Sequence, residues 1–147
     1  MSIMYRRIKM SVINDLINIE SDSLDFGNYE LATKTKKDGI EYKGDIYKIK
    51  TFNEITKLEK NGMFVYESVP GTTVHGFRSS EEDVSFIVEG TETSSITLEL
   101  EPETDYKIHI DDIYVGKNKT NLGGKLSISV DLEPGREVKV DVRKAFD

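Results

Sequence analysis

The last third of the chain, Asp105 to Val142, alternates apolar and polar residues almost without a break, and this two-residue period commits it to β-structure. In YKIHI, Tyr106, Ile108 and Ile110 fall on one face of a strand, and Lys107, His109 and Asp111 fall on the other. The first face is core and the second is wet. Leu126, Ile128, Val130 and Leu132 repeat the pattern, as do Val138, Val140 and Val142. Glu133, Pro134, Gly135 and Arg136 join these two runs. Proline presets φ at the second turn position and glycine accepts a positive φ at the third, so the segment predicts an antiparallel hairpin.

An internal echo accompanies the alternation. LEPETDYKIHI (Leu100 to Ile110) and LEPGREVKVDV (Leu132 to Val142) share Leu-Glu-Pro, an acid, an apolar residue, Lys and an apolar-x-apolar ending, 32 residues apart. Two similar hairpins are predicted. A single echo falls short of the three or so repeats that a solenoid needs.

Upstream, Met1 to Lys9 reads as a disordered tail, with Met10 as an alternative start. Ser11 can cap a short helix in which Val12, Leu16 and Ile19 share a face, although so β-branched a run also suits a strand. From Leu24 the text turns to strands: LDFGNYELA, a charged turn around Lys36 to Gly39, then IEYKGDIYKIKTF. Thr51 followed by Glu54 is a capping-box signal, with Phe52, Ile55 and Leu58 as an apolar stripe and Asn61-Gly62 as a left-handed stop, so a helix is predicted over about residues 52–60. Met63 to Val69 is apolar on both faces and predicts a central, covered strand. TVHGF, DVSFIVE and SITLELE follow as further short strands.

The expected fold class is therefore mainly β, an antiparallel β-sandwich or small barrel-like fold with one or two short helices. Pro70-Gly71 marks a boundary between a β subdomain over 10–72 carrying a short helix and a sandwich-like subdomain over 73–147. The alternative is one continuous domain over 10–144.

A chain of 147 residues, 37% hydrophobic and 32% charged, can bury a core of this kind. It contains no Cys, which excludes a disulfide scaffold and thiolate chemistry and fits a cytoplasmic setting. Asn14, Asp15 and Asn18 interrupt the apolar run after the basic start, so no signal peptide is expected, and no window approaches a membrane span. The net charge of −7 is uneven: residues 1–72 hold 11 basic and 11 acidic side chains, and residues 73–147 hold 9 and 16. That acidity argues against nucleic-acid partners.

No complete catalytic, metal or phosphate-binding constellation is present, and neither a metal nor a cofactor is expected. His75 and His109 have no ligand-like spacing. The acidic loops Glu81-Glu82-Asp83 and Glu101 to Asp105 do not have EF-hand spacing. Gly123-Gly124 precedes a strand and is a turn. Glu67, alone in an apolar strand, is the carboxylate expected to be partly desolvated, although pairing with a lysine such as Lys48 or Lys50, or a place at an edge, is the plainer reading. Tyr42, Tyr47 and Tyr114 sit in polar surroundings, where they can stack on a sugar or anchor an interface, an ordinary half-buried β tyrosine being the plainer reading. Arg78 is one of three arginines outside the tail, with Arg136 and Arg143, and a planar guanidinium suits a carboxylate. The candidate binding residues are Tyr42, Tyr47, Glu67, Arg78 and Tyr114.

KTFNEITKLEKNGMFVYESVPGT (Lys50 to Thr72), with LDFGNYEL before it and KTNLGGKLSISVDL after it, resembles a set of short Firmicute proteins that carry the label endosialidase. The resemblance runs from about Met10 to Lys144. It implies a glycan-active protein, an endosialidase-like glycoside hydrolase or a sialoglycan-binding module. The large tailspike endosialidases are propellers, and at about four strands per blade a chain with some ten strands cannot build one. The residues themselves favour a non-catalytic β-rich protein that binds or assembles through strand edges and loops, with a protein partner or a second copy ahead of a glycan.

Overall fold

The computed structural model describes residues 13–146, and alternation becomes thirteen strands there. In chain order these are β1 (Ile17–Ile19), β2 (Leu24–Phe26), β3 (Thr35–Tyr42), β4 (Asp45–Phe52), β5 (Ile55–Lys60), β6 (Met63–Val69) and β7 (Thr73–Ser79). There follow β8 (Asp83–Glu89), β9 (Ser94–Glu99), β10 (Asp105–Ile110), β11 (Ile113–Lys119), β12 (Lys125–Val130) and β13 (Val138–Lys144). They form a seven-stranded sheet, β1-β2-β7-β8-β13-β10-β11, and a six-stranded sheet, β12-β9-β6-β5-β4-β3. Every neighbouring pair is antiparallel. The architecture is a β-sandwich.

One hydrophobic core joins the sheets and draws on residues from both sides of Pro70-Gly71. Tyr66 of the six-stranded sheet is its centre, edge-on to Phe26 and Phe86 of the other sheet at 5.2 and 5.6 Å between ring centroids. Each such pair adds about 0.5–1.5 kcal/mol beyond the area it buries. The Tyr66 hydroxyl, which cannot reach water, meets Thr72 Oγ1 at 2.8 Å. Burial pushes its pKa well above the ordinary tyrosine value, opposed by the hydrogen bonds to Thr72 and Ser68. The β2–β7 and β6–β9 pairings also tie the two halves of the chain together.

The alternating faces lie as the sequence predicts. Tyr106, Ile108, Leu126, Ile128, Val130, Leu132, Val138, Val140 and Val142 are all buried. Their partners differ from the expectation. The Glu133-Pro134-Gly135-Arg136 turn is present, with Arg136 N donating to Glu133 O at 3.2 Å, yet it joins β12 of one sheet to β13 of the other. The expected hairpin is an arch. Leu100-Glu101-Pro102 makes the equivalent crossing from β9 to β10. Because β9 neighbours β12 and β10 neighbours β13, the echo corresponds to two arches side by side.

No helix occurs among the described residues, which corrects the helical segments expected near Ser11 and over 52–60. Ser11, Val12 and the expected tail lie outside the described residues. Ile13 to Leu16 form a turn, with Leu16 N donating to Ile13 O at 3.0 Å, and β1 follows. In the second segment, Phe52 closes β4, Asn53-Glu54 turn, and Thr56 and Leu58 point into the core from β5. The Thr51 hydroxyl, expected to cap a helix, instead meets Thr56 Oγ1 across the hairpin at 2.8 Å. The apolar residues Ile55 and Leu58 keep a helical spacing, and burial of Thr56 and Leu58 against the opposite sheet outweighs the weak preference for helix. Asn61-Gly62, both at positive φ, form the hairpin turn. The charged stretch expected as a turn is part of β3, with a register shift between Lys37 and Ile40. The turn comes later, at Lys43-Gly44. β6 is central, but it is covered on one face only: Met63 and Val69 are 63% and 52% exposed.

Candidate functional site

Two hairpin tips meet at one end of the sandwich. Lys43-Gly44 and Asn61-Gly62 are tight turns of adjacent hairpins, so β3, β4 and β5 end together beside the end of β7. Between them opens a cleft of about 140 Å3 whose lining includes Tyr42, Tyr47, Arg78, Lys43, Lys60 and Asp45. Asp22, Leu24, Phe77 and Ser79 complete it. Tyr47 faces inward and is buried, whereas Tyr42 is half-buried, and their rings lie 6.0 Å apart at 59°. Burial raises the Tyr47 pKa, helped by the negative charge of Asp45 and by Tyr42. Lys43 Nζ lies 5.3 Å from the Tyr42 ring centroid.

Asp45 is held in place and held ionised. Asn61 Nδ2 donates to its Oδ1 at 2.8 Å, and Lys60 Nζ lies 3.5 Å from its Oδ2. The Asn61 hydrogen bond is the largest influence holding its pKa below the usual carboxylate value; burial opposes it, and the charge and hydrogen bond of Lys60 add to the lowering. Arg78, exposed near the end of β7, has no hydrogen bond or ion pair to its guanidinium among the described residues.

Three of the five residues singled out in the sequence, Tyr42, Tyr47 and Arg78, thus line one cleft. Glu67 and Tyr114 stand elsewhere. Glu67 is half-exposed on the outer face of β6, in register with Lys57 and Thr97 rather than with Lys48 or Lys50. Tyr114 lies on β11, the edge strand of the larger sheet, between Ile113 and Val115; these three are 55%, 66% and 57% exposed respectively. Its ring is 5.5 Å from that of His109, whose Nδ1 is buried without a hydrogen-bond partner among the described residues. Asp111 and Asp112 are engaged by Arg136 and Lys139. His75 Nε2 meets the buried Glu89 at 3.2 Å.

Sequence reasoning missed Lys43, Lys60 and Asp45. The signal was there in the two X-Gly turns, since hairpins of matched length bring alternate turns to the same end of a sheet. No family model, curated protein or solved structure matches this chain.

Proposed function

We propose that this protein is a non-catalytic binding module that takes the acidic end of a saccharide in the cleft at the end of the sandwich. The observation that carries the reading is the meeting of Arg78, Lys43 and Lys60 around the Tyr42–Tyr47 pair. Aromatic rings offer a face to the apolar side of a sugar, and an unengaged guanidinium offers a planar fork to its carboxylate. The size favours a single terminal residue: about 140 Å3 is well below the roughly 300–1,000 Å3 of sites that enclose whole ligands. Binding is favoured over cleavage because a glycosidase needs a carboxyl with a raised pKa, and Asp45 is driven the other way.

Calorimetric titration with sialyllactose and with lactose tests this. The acidic sugar is expected to bind saturably and the neutral one not, with Arg78→Gln weakening the former at least tenfold. Equal binding of lactose, or an unchanged affinity in the variant, overturns the reading. Release of reducing ends from polysialic acid would replace it with the hydrolase alternative.

A second reading, assembly through a strand edge, is favoured by β11. Three adjacent exposed apolar side chains, Ile113 to Val115, leave the start of this edge strand open to strand addition, whereas Lys117 and Lys119 and the register shift against β10 guard the rest. Light scattering across concentration decides it. A defined oligomer that Val115→Lys dissolves supports assembly, and a monomer at all concentrations removes it.

A further inference from the structure

The outer face of the six-stranded sheet carries an arrangement that ordinary sheet design avoids. Lys36 of β3 stands directly opposite Lys50 of β4, and Lys50 directly opposite Lys57 of β5. Three like charges therefore form one row across three strands, at positions where side chains approach to about 4.5–5.5 Å and like charges destabilise. Lys48, in register with Glu59, flanks the row. These four lysines and Glu59 line a shallow cleft of about 50 Å3. Lys48, Lys50 and Lys57 are half-buried, as lysines are when their aliphatic stems lie along a sheet and their ammonium groups reach outward. The nearby carboxylates do not neutralise the group. Glu59 pairs with Lys57 at 3.5 Å, and Glu67 ends the row beside Lys57. Burial above all, then the charges of Lys34, Lys57 and Lys36, holds the Lys50 pKa below its usual value against the pull of Glu59. All this occurs in a chain whose net charge is −7.

We propose that this lysine row is a binding site for a multivalent oxyanion of the phosphate-ester or sulfate class, separate from the cleft at the end of the sandwich. An anion with several oxygens can face Lys36, Lys50 and Lys57 at once, converting mutual repulsion into three attractions. Ammonium groups act as point charges and need no fixed planar geometry, so the site selects for charge density more than for shape. A flat sheet face with a shallow cleft suits a headgroup-sized ligand whose remainder stays in solvent.

The test uses inorganic tripolyphosphate as probe, at constant ionic strength set with chloride, with calorimetry and thermal melting as readouts. Saturable binding and a raised melting temperature are expected, because a ligand of the folded state stabilises it. Lys50→Gln should lower the affinity at least tenfold and abolish the thermal shift. Without the anion this variant should melt no lower than the parent, since the substitution relieves repulsion, and that outcome shows that the fold is kept. Lys117→Gln with Lys119→Gln, on β11, should leave binding unchanged. Loss of binding in the β11 double variant would mean diffuse attraction, loss in Arg78→Gln would place the anion in the end cleft, and absence of saturable binding would leave the row without a ligand. Each overturns the proposal. A concentration-dependent mass that Lys50→Gln abolishes would assign the lysines to a contact between copies and overturn it too. Sedimentation with phosphatidylglycerol vesicles, compared with phosphatidylcholine vesicles, separates the sources of the oxyanion. Retention on the former that Lys50→Gln removes assigns a lipid headgroup, and tripolyphosphate binding without retention assigns a free phosphate.

Discussion

The hydroxyl of Thr56 satisfies both polar backbone groups of Thr72: its Oγ1 donates to the Thr72 carbonyl at 2.7 Å and accepts the Thr72 N–H at 3.0 Å. The same oxygen accepts from Thr51 Oγ1 at 2.8 Å, and Thr51 Oγ1 in turn accepts the Asn28 N–H at 2.9 Å. Thr51, Thr56 and Thr72 are all fully buried. A chain of hydroxyls thus fastens the β4–β5 hairpin to the segments before β3 and before β7. Thr56→Val keeps the shape and removes the donor and acceptor together, leaving two backbone groups and a hydroxyl unpaired. A buried polar group stripped of its partner costs about 1–3 kcal/mol, so the variant is expected to lose at least that much in urea denaturation, and Thr56→Ser much less.

Gly27 packs against the same segment. It sits at φ +94°, its carbonyl accepts from Thr73 Oγ1 at 3.1 Å, and a methyl group added to it would overlap the Thr72 carbonyl oxygen. Gly27→Ala therefore combines a disfavoured backbone conformation with a steric overlap, each costing about 1–3 kcal/mol. Gly44, at φ +83°, has open space where a Cβ would go. Gly44→Ala is expected to cost only the backbone part, about 1–2 kcal/mol. Thermal melts of the two variants should differ clearly, with Gly27→Ala the less stable.

Tyr66 makes the protein sensitive to alkali. Its folded pKa is raised by burial, so the folded state holds this proton more tightly than the unfolded state does. That contribution to stability is complete below the unfolded tyrosine pKa of about 10 and falls as pH rises beyond it, by up to about 1.4 kcal/mol per pH unit. Tyr66→Phe loses the hydrogen bond to Thr72 and is expected to be less stable than the parent at pH 8. The gap should narrow at pH 11, where the parent carries the extra cost. Urea midpoints at both pH values measure the difference, and a gap that stays constant would contradict the burial of this hydroxyl.

How far the sequence reaches is clear from Leu126, Ile128 and Val130. Period-two alternation identifies the strand and its buried face, because burial of one face is a local property of the chain. It is silent about which strand lies alongside. A Pro-Gly turn reverses the chain equally well within one sheet or from one sheet to the other, so β12 and β13 looked like a hairpin and are an arch. The segment from Thr51 to Gly62 failed for a different reason. Its apolar residues Phe52, Ile55 and Leu58 keep a helical spacing and do not alternate, so only packing against the opposite sheet makes the segment two strands and a turn. In the end cleft, Tyr42, Tyr47 and Arg78 were legible one by one as residue types. Their meeting depends on the pairing of β2 with β7 and the packing of two sheets, which one sequence does not display. The lysine row depends on register. Lys48 and Lys50 share a face by local alternation, but only the β3–β4–β5 alignment sets Lys36 and Lys57 beside Lys50.

Asp112 presents a contest between backbone strain and a surface charge pair. The turn between β10 and β11 holds Asp111 and Asp112 at φ +51° and +66°, where the turns at Lys43-Gly44 and Asn61-Gly62 have glycine in the second position. Asp111 is fixed by its own contacts, accepting the Lys139 N–H at 2.9 Å. Asp112 contributes a contact to Lys139 Nζ at 2.9 Å, with its side chain 74% exposed. An exposed pair of this kind is weak and is screened by salt, whereas the cost of the left-handed conformation does not depend on salt. Asp112→Gly is therefore expected to stabilise the protein, by about 1 kcal/mol at high salt and by less at low salt. Asp112→Asn, which tolerates the same backbone conformation without the charge, should change little at high salt. Melting temperatures at 20 mM and 500 mM NaCl decide between the two effects, on ionic strengths of roughly 0.02 and 0.5 M that span the change from weak to strong screening. Destabilisation by Asp112→Gly at both would mean that the ion pair outweighs the turn.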